Sequence, residues 1–252
     1  WVNGAKFVVK KGETGLTGNI YAGLHEHTDM GYLLHVLRGG DLFLDIGANV
    51  GCYTLLASAS VGANTIAFEP VPTTFKRLTD NIRINGLDQK VQCVNQGLGD
   101  QEGEISFSSE GDTMNHALAP GEACAHPVTV PITTLDSFLS HQSPSLAKID
   151  VEGFETLVLK GARKTLENPS LHSLIMELND SGQRYGFDEG AILKALSDLG
   201  YQTHSYNPFT RVLTPLASKN TQGENTLFIR DKSFVEERLK TAPKFRINGV
   251  EL

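Results

Sequence analysis

Cysteine is scarce in this 252-residue chain. Cys52, Cys93 and Cys124 are three in number and include no Cys-x-x-Cys pair, which leaves neither a disulfide framework nor a zinc ribbon. A reducing compartment suits such usage, so the expected location is cytoplasmic. Basic residues are also in short supply: 22 Lys+Arg face 29 Asp+Glu, a net charge of −7. A general nucleic-acid binder carries a basic face, so nucleic acid is not an expected partner. No long apolar run is present. The longest uncharged stretch, 46–68, is broken by three Gly, two Asn, two Ser and two Thr. A membrane-spanning helix needs about 20 predominantly apolar residues, so no span is expected. No secretory leader pattern opens the chain, which starts at Trp1 rather than Met and reads equally as part of a longer protein. Internal repeats and low-complexity tracts are absent.

What is present is an alternation of short apolar runs and amphipathic stretches. Residues 42–46 (LFLDI) read as a buried parallel strand, followed by a glycine turn and a helix over 53–60. A second strand, 65–68, ends at Glu69-Pro70. The next helix has Pro72 in its first turn, Phe75, Leu78 and Ile82 on one face, and Asn85-Gly86 as its stop. A third strand covers 91–94. Three β–α units in about 55 residues imply an open parallel sheet with right-handed crossovers. Further helices are expected over 133–140, 155–167, 188–199 and 231–240, the last charged and exposed. Further strands are expected over 146–149, 174–176, 201–206 and 226–229. Before residue 40, short strands at 7–9 and 19–21 precede a helix at 30–38. Residues 108–127 have no period and several breakers. A stretch this long is either a substrate loop or a surface excursion.

The strongest local signal is Asp45-Ile46-Gly47-Ala48-Asn49-Val50-Gly51 between strand and helix. Glycines there allow a sharp turn and close approach of a ligand to the backbone. Glu69, eighteen residues after Gly51, ends the next strand, where an acid can accept hydrogen bonds from both ribose hydroxyls of a nucleoside. Gly47 and Gly51 are four apart with Asn49 between them, which departs from the dinucleotide fingerprint and argues against a nicotinamide-dependent oxidoreductase. Asp45 would repel a pyrophosphate at the helix start. It suits a ligand with positive charge, such as the sulfonium and ammonium of S-adenosylmethionine.

DIGANVG (45–51) followed by FEP (68–70) resembles class I methyltransferases, and AKIDVEGFETLVLKGA (147–162), preceded by VPITTLDSF (130–138) and followed by MEL (176–178), resembles the FkbM family. The resemblance spans about residues 40–180. It implies an α/β, Rossmann-like fold with a seven-stranded, mostly parallel sheet, an antiparallel last strand and helices on both faces. It implies S-adenosylmethionine as methyl donor. Asp45, Gly47, Ala48, Asn49 and Gly51 would line its methionine end, Glu69 and Pro70 its ribose, and Leu98 its adenine; Glu26 is the candidate acid before the first core helix. Gly97 stands where Ala is more usual in the family. On this reading residues 1–40 form an extension packed on the core, 41–232 the methyltransferase domain with a loop insertion at 108–127, and 233–252 a C-terminal helix and tail. The family's activity points to O-methylation of a hydroxyl on a sugar or natural product, hence to a small-molecule or glycan acceptor. The other reading is a methyltransferase-like scaffold that binds a nucleoside without catalysis. A nucleic-acid methyltransferase is disfavoured by the charge and by the lack of an (N/D)PPY-type segment for a flipped base.

Methyl transfer is an in-line displacement for which the protein mainly positions the reactants, and a hydroxyl acceptor gains from a base. Asp150, at the end of a strand facing the same crevice, is the first candidate. Glu152 either shares its side or caps the following helix. Glu177, ending the next strand, either binds the acceptor or is structural. His116, in the irregular loop, is a third candidate base against the alternative of a surface histidine. His25 and His27 lack a third ligand at a recognisable spacing, so no metal is expected. Cys52 reads as a packed side chain, and Arg184, Tyr185 and Arg211 as surface unless the acceptor is anionic.

Overall fold

A computed structural model describes residues 1–10, 15–109, 115–223 and 225–252. Its centre is an eight-stranded sheet. Five strands are parallel: β1 (Leu42–Ile46), β2 (Asn64–Phe68), β3 (Val91–Val94), β7 (Leu146–Ile149) and β8 (Ser173–Glu177). Beside β8 lies the antiparallel β11 (Asn225–Ile229), then β9 (Gln202–Asn207) and the edge strand β10 (Val212–Pro215). The order is β10-β9-β11-β8-β7-β1-β2-β3. The last of seven core strands is therefore antiparallel, as the resemblance implied. The eighth strand was not anticipated. It is the return arm of a hairpin whose turn is held by Asn207, with Arg211 N–H donating to the Asn207 carbonyl at 2.8 Å.

Strand side chains alternate between two faces. Leu44, Ile46, Ala147, Ile149, Leu174, Met176 and Phe228 point to one side. They pack on α5 (Leu135–Leu139), α6 (Glu155–Lys160), α7 (Arg163–Glu167) and α8 (Glu189–Asp198). Phe43, Leu146, Ile175, Leu227 and Ile229 point to the other, against α2 (His27–Val36) and α9 (Lys232–Lys240). Each fully buried Leu or Ile contributes about 1.5–3 kcal/mol. Asp45, Lys148, Glu177 and Asn225 follow the same alternation onto the second face, near the carboxyl ends of β1, β7 and β8. Polar residues are thus delivered to one place by the pleat that builds the core.

The helix expected over 53–60 begins as α3 (Cys52–Leu55) and widens through Leu56–Val61. The α4 helix (Pro72–Ile84) forms as read. The single helix expected over 155–167 is two helices. A Cβ at Gly161 would lie 1.9 Å from the Gly99 carbonyl oxygen, so the chain passes there backbone to backbone. Asp136 then caps α7, accepting from Lys164 N–H and Thr165 N–H at 2.8 Å each. The α9 helix is not simply exposed, because Val235 and Leu239 are buried. Residues 19–21, expected as strand, belong to α1 (Gly15–Ala22), and 7–9 form no regular element.

A second, three-stranded sheet joins β4 (Gly97–Leu98), β6 (Val128–Thr133) and β5 (Gly103–Phe107). Within the 108–127 segment, residues 110–114 lie outside the described residues. The remainder folds back along β5: Leu118 N–H donates to the Ser106 carbonyl at 2.8 Å, and the Tyr185 hydroxyl donates to the Ala117 carbonyl at 2.5 Å. The C-terminal hairpin of β12 (Arg246–Ile247) and β13 (Val250–Glu251) completes the chain. Among the described residues no helix is long and apolar enough to cross a membrane.

Candidate active site

A cavity of about 540 Å³ opens at the carboxyl ends of β1, β2, β7 and β8. Its place is the topological switch point, since the chain leaves β1 toward β2 on one side and reaches β7 on the other. The size lies within the range of small-molecule sites.

The glycine turn forms its floor. Gly47 and Ala48 N–H both donate to the Phe68 carbonyl, at 3.1 and 2.9 Å. Gly47 has φ +81°, and a Cβ there would lie 1.8 Å from the Asp150 carbonyl oxygen, so no other residue fits. Asn49, also left-handed at φ 49°, turns its N–H onto Glu69 Oε2 at 3.0 Å. Glu69 Oε1 accepts from Val71 N–H at 2.9 Å. Asp45 is 1% exposed and accepts from the Thr54 hydroxyl at 2.5 Å. Burial raises the Asp45 carboxyl above its usual range and pushes Glu69 up to about 7, against the lowering effect of its two backbone donors.

Lys148 is the residue that sequence reasoning passed over. It is 3% exposed, in the middle of β7, donates to Asp150 Oδ2, and stands 4.6 Å over the Tyr53 ring. Burial disfavours its charge, but Asp150, Glu26 and Asp45 outweigh that and hold it protonated. A lysine in an apolar strand reads as an edge residue. The one available signal was the Lys-Ile-Asp alternation, which puts Lys148 and Asp150 on one side.

Glu26, Asp45, Gly47, Ala48, Asn49, Glu69, Pro70, Leu98, Asp150 and Glu177 all line the cavity. Gly51 does not; it precedes α3 with φ 94°. His116 does not either. Its Nε2 lies 2.8 Å from Glu122 Oε1, while its neighbour Asn115 reaches the cavity. Glu26 accepts from the Asn225 side-chain amide at 2.6 Å. Asp150, Glu152 and Glu177 each bring a carboxylate oxygen to within 4.8 Å of the others. Lys148 already supplies this group with a positive charge. His25 and His27 take no part in it.

Comparison with known proteins gives the family. The model of the methyltransferase FkbM domain matches residues 45–203. The hexuronic acid methyltransferase AglP of Haloferax volcanii is 31% identical over 177 residues, 68% of this chain and 67% of that protein. The chain belongs to the FkbM family of class I, S-adenosylmethionine-dependent methyltransferases. Its fold is similar to the crystal structure of methyltransferase FkbM from Methylobacillus flagellatus KT, with a TM-score of 0.52 and 14% identity. That match covers 77% of this chain, which spans 44% of the length of that protein.

The family motifs acquire structural reasons. In the 147–162 stretch, Glu155 accepts from Val151 and Gly153 N–H at 3.1 and 3.2 Å and so closes the turn that carries Glu152. In the 130–138 stretch, Thr134 caps α5 and Asp136 caps α7. These residues hold the site without reaching it.

Proposed function

We propose that this protein transfers a methyl group from S-adenosylmethionine to a hydroxyl of a sugar, with hexuronic acid glycosides the first class to test. The observation that carries the reading is the pair of buried acids, Asp45 and Glu69, at adjacent strand ends beside a turn that admits only glycine at position 47. The residues fit the donor. Asp45 and Glu26 offer negative charge to its cationic end. Glu69, with both oxygens already fixed by backbone N–H groups, presents its remaining lone pairs to ribose hydroxyls. Leu98 and Pro70 supply apolar wall for the base. When bound, the donor supplies an electrophilic methyl on a good leaving group.

The protein's part is to orient the acceptor oxygen and receive its proton. Asp150, Glu152 and Glu177 form the acidic wall where that proton is taken. Asn115 and Asn179, at the same mouth, offer amide groups to sugar hydroxyls. The name of the Haloferax relative supports a uronic acid acceptor. His116 lies outside this wall, paired with Glu122.

The test incubates the protein with radiolabelled S-adenosylmethionine and three acceptor sets: uronic acid glycosides, neutral glycosides and transfer RNA. Label on a glycoside, in an alkali-stable ether, is the expected result. Label on RNA alone would contradict the proposal.

A further inference from the structure

Six acids line the cavity: Glu26, Asp45, Glu69, Asp150, Glu152 and Glu177. Four have their carboxylates committed to donors, Asn225 for Glu26, Thr54 for Asp45, two backbone N–H groups for Glu69, and Lys148 for Asp150. Glu152 and Glu177 are different. Glu152 accepts no hydrogen bond among the described residues. Glu177 keeps Oε2 buried with no partner. A buried carboxylate oxygen without a donor is costly, whereas a carboxylic acid there is tolerated. Glu177, packed beside Asp150 and opposite Asn225 across the β8–β11 register, is therefore the group that stays protonated.

Glu152 is more open, and its backbone is set on purpose. It is left-handed at φ 54°. Gly153 follows at φ 101°, against the Ser181 backbone, and Glu155 ties the turn from below. A non-glycine residue held in this conformation costs about 1–3 kcal/mol unless its surroundings enforce it. Here they do, and the result is a carboxylate aimed into the mouth.

We propose, on the methyltransferase reading above, that Glu152 is the base that takes the acceptor's proton, with Glu177 beside it as a neutral hydrogen-bond donor to the acceptor and Lys148 pinning the cluster's fixed negative charge on Asp150. In the step, the acceptor oxygen forms its bond to the methyl carbon as the carbon–sulfur bond breaks. The hydroxyl proton passes to a Glu152 oxygen, and the sulfonium's positive charge is cancelled against the carboxylate. The electrostatic surroundings of the two acids agree with this order. Burial, then the charge of Asp150, pushes Glu152 up to about 7, with Arg184, His116 and Lys148 pulling it down. Burial, then Asp150 and Glu152, pushes Glu177 up to about 10, with Lys148 opposing and Glu155 adding. Of the two open acids at the mouth, Glu152 and not Glu177 exchanges a proton readily at neutral pH.

The test needs no acceptor. Titrating the full chain with S-adenosylmethionine at pH 7, in phosphate and in Tris, reads protons released on binding, because the two buffers differ in ionisation enthalpy. A positive charge entering the cavity favours ionised Glu152, and a group half-protonated at pH 7 yields up to about half a proton. Release is expected in the wild type and in Glu177→Gln, whose amide mimics a protonated acid, and is expected to fall by about half in Glu152→Gln, with Glu69, also near 7, supplying the remainder. S-adenosylhomocysteine, without the sulfonium charge, should release much less. Release undiminished in Glu152→Gln overturns the proposal, as does release reduced only in Glu177→Gln. Magnesium binding to the wild type that both variants abolish would assign the cluster to a cation and overturn it too. A folded wild type that binds no donor would instead overturn the methyltransferase reading itself, a distinct result.

Discussion

The floor and the mouth of the cavity are built on opposite principles. On the floor, Asp45 and Glu69 are buried, and their oxygens are fixed by Thr54 and by the N–H groups of Asn49 and Val71. At the mouth, Glu152 and Glu177 are carboxyl groups that no donor holds among the described residues. Pre-organisation is worth most for the ligand shared by every member of a family. Groups left open suit a reacting acceptor that must exchange a proton. Lys148 is the joint between the two, paired with Asp150 on the mouth side and paired across the sheet with Asp45 on the floor side.

The largest effect is expected from breaking the floor. Gly47→Ala places a methyl inside the Asp150 carbonyl. The turn must move, and donor affinity should fall at least about 100-fold, roughly 2.7 kcal/mol, in calorimetric titration, while the melting temperature also drops. Lys148→Met attacks the joint. It leaves Asp150 and Asp45 without their cation, and breaking a buried pair from one side costs about 3–5 kcal/mol when both partners are buried. Asp150 is partly exposed, so a loss nearer about 2 kcal/mol is expected in urea unfolding. Equal stability of the variant and the wild type would remove Lys148 from its role as the joint.

A smaller, distributed effect concerns pH. Burial raises the carboxyls of Asp29, Glu69, Glu152 and Glu155 to about 7 from unfolded values near 4. In this window the folded state binds more protons than the unfolded state, so stability is full below about pH 4 for these groups and is lost as pH rises through 7. The ligand-free protein should therefore melt at a lower temperature at pH 8 than at pH 6. The cationic donor should narrow that gap. A melting temperature that rises across this interval would contradict the assigned burial effects.

The floor was legible in the sequence and the mouth only in part. The run from residue 42 to Glu69 combines a buried strand, a turn and a helix within 28 residues, so local pattern sufficed. Asp150 and Glu177 were found because strand ends in a parallel sheet converge. Lys148 was missed because its partners Asp45, Asp150 and Glu26 come from three separate segments. The second sheet was missed because β5 (GEISF) is half exposed and β6 contains Pro131, so neither carries an apolar run. The split of α6 from α7 depends on Gly99, sixty-two residues before Gly161, a contact that no local period reveals. The strand expected at 19–21 is helix because Asn19, buried in α1, holds His25 N–H at 2.9 Å and turns the chain toward Glu26.

The central claim is that the floor binds the nucleoside of S-adenosylmethionine through Glu69. Calorimetric titration of the donor into the wild type and into Glu69→Ala tests it most directly. The account predicts micromolar binding to the wild type and a loss of about 10- to 100-fold in the variant, with the fold retained. Equal affinity in the two proteins would contradict it.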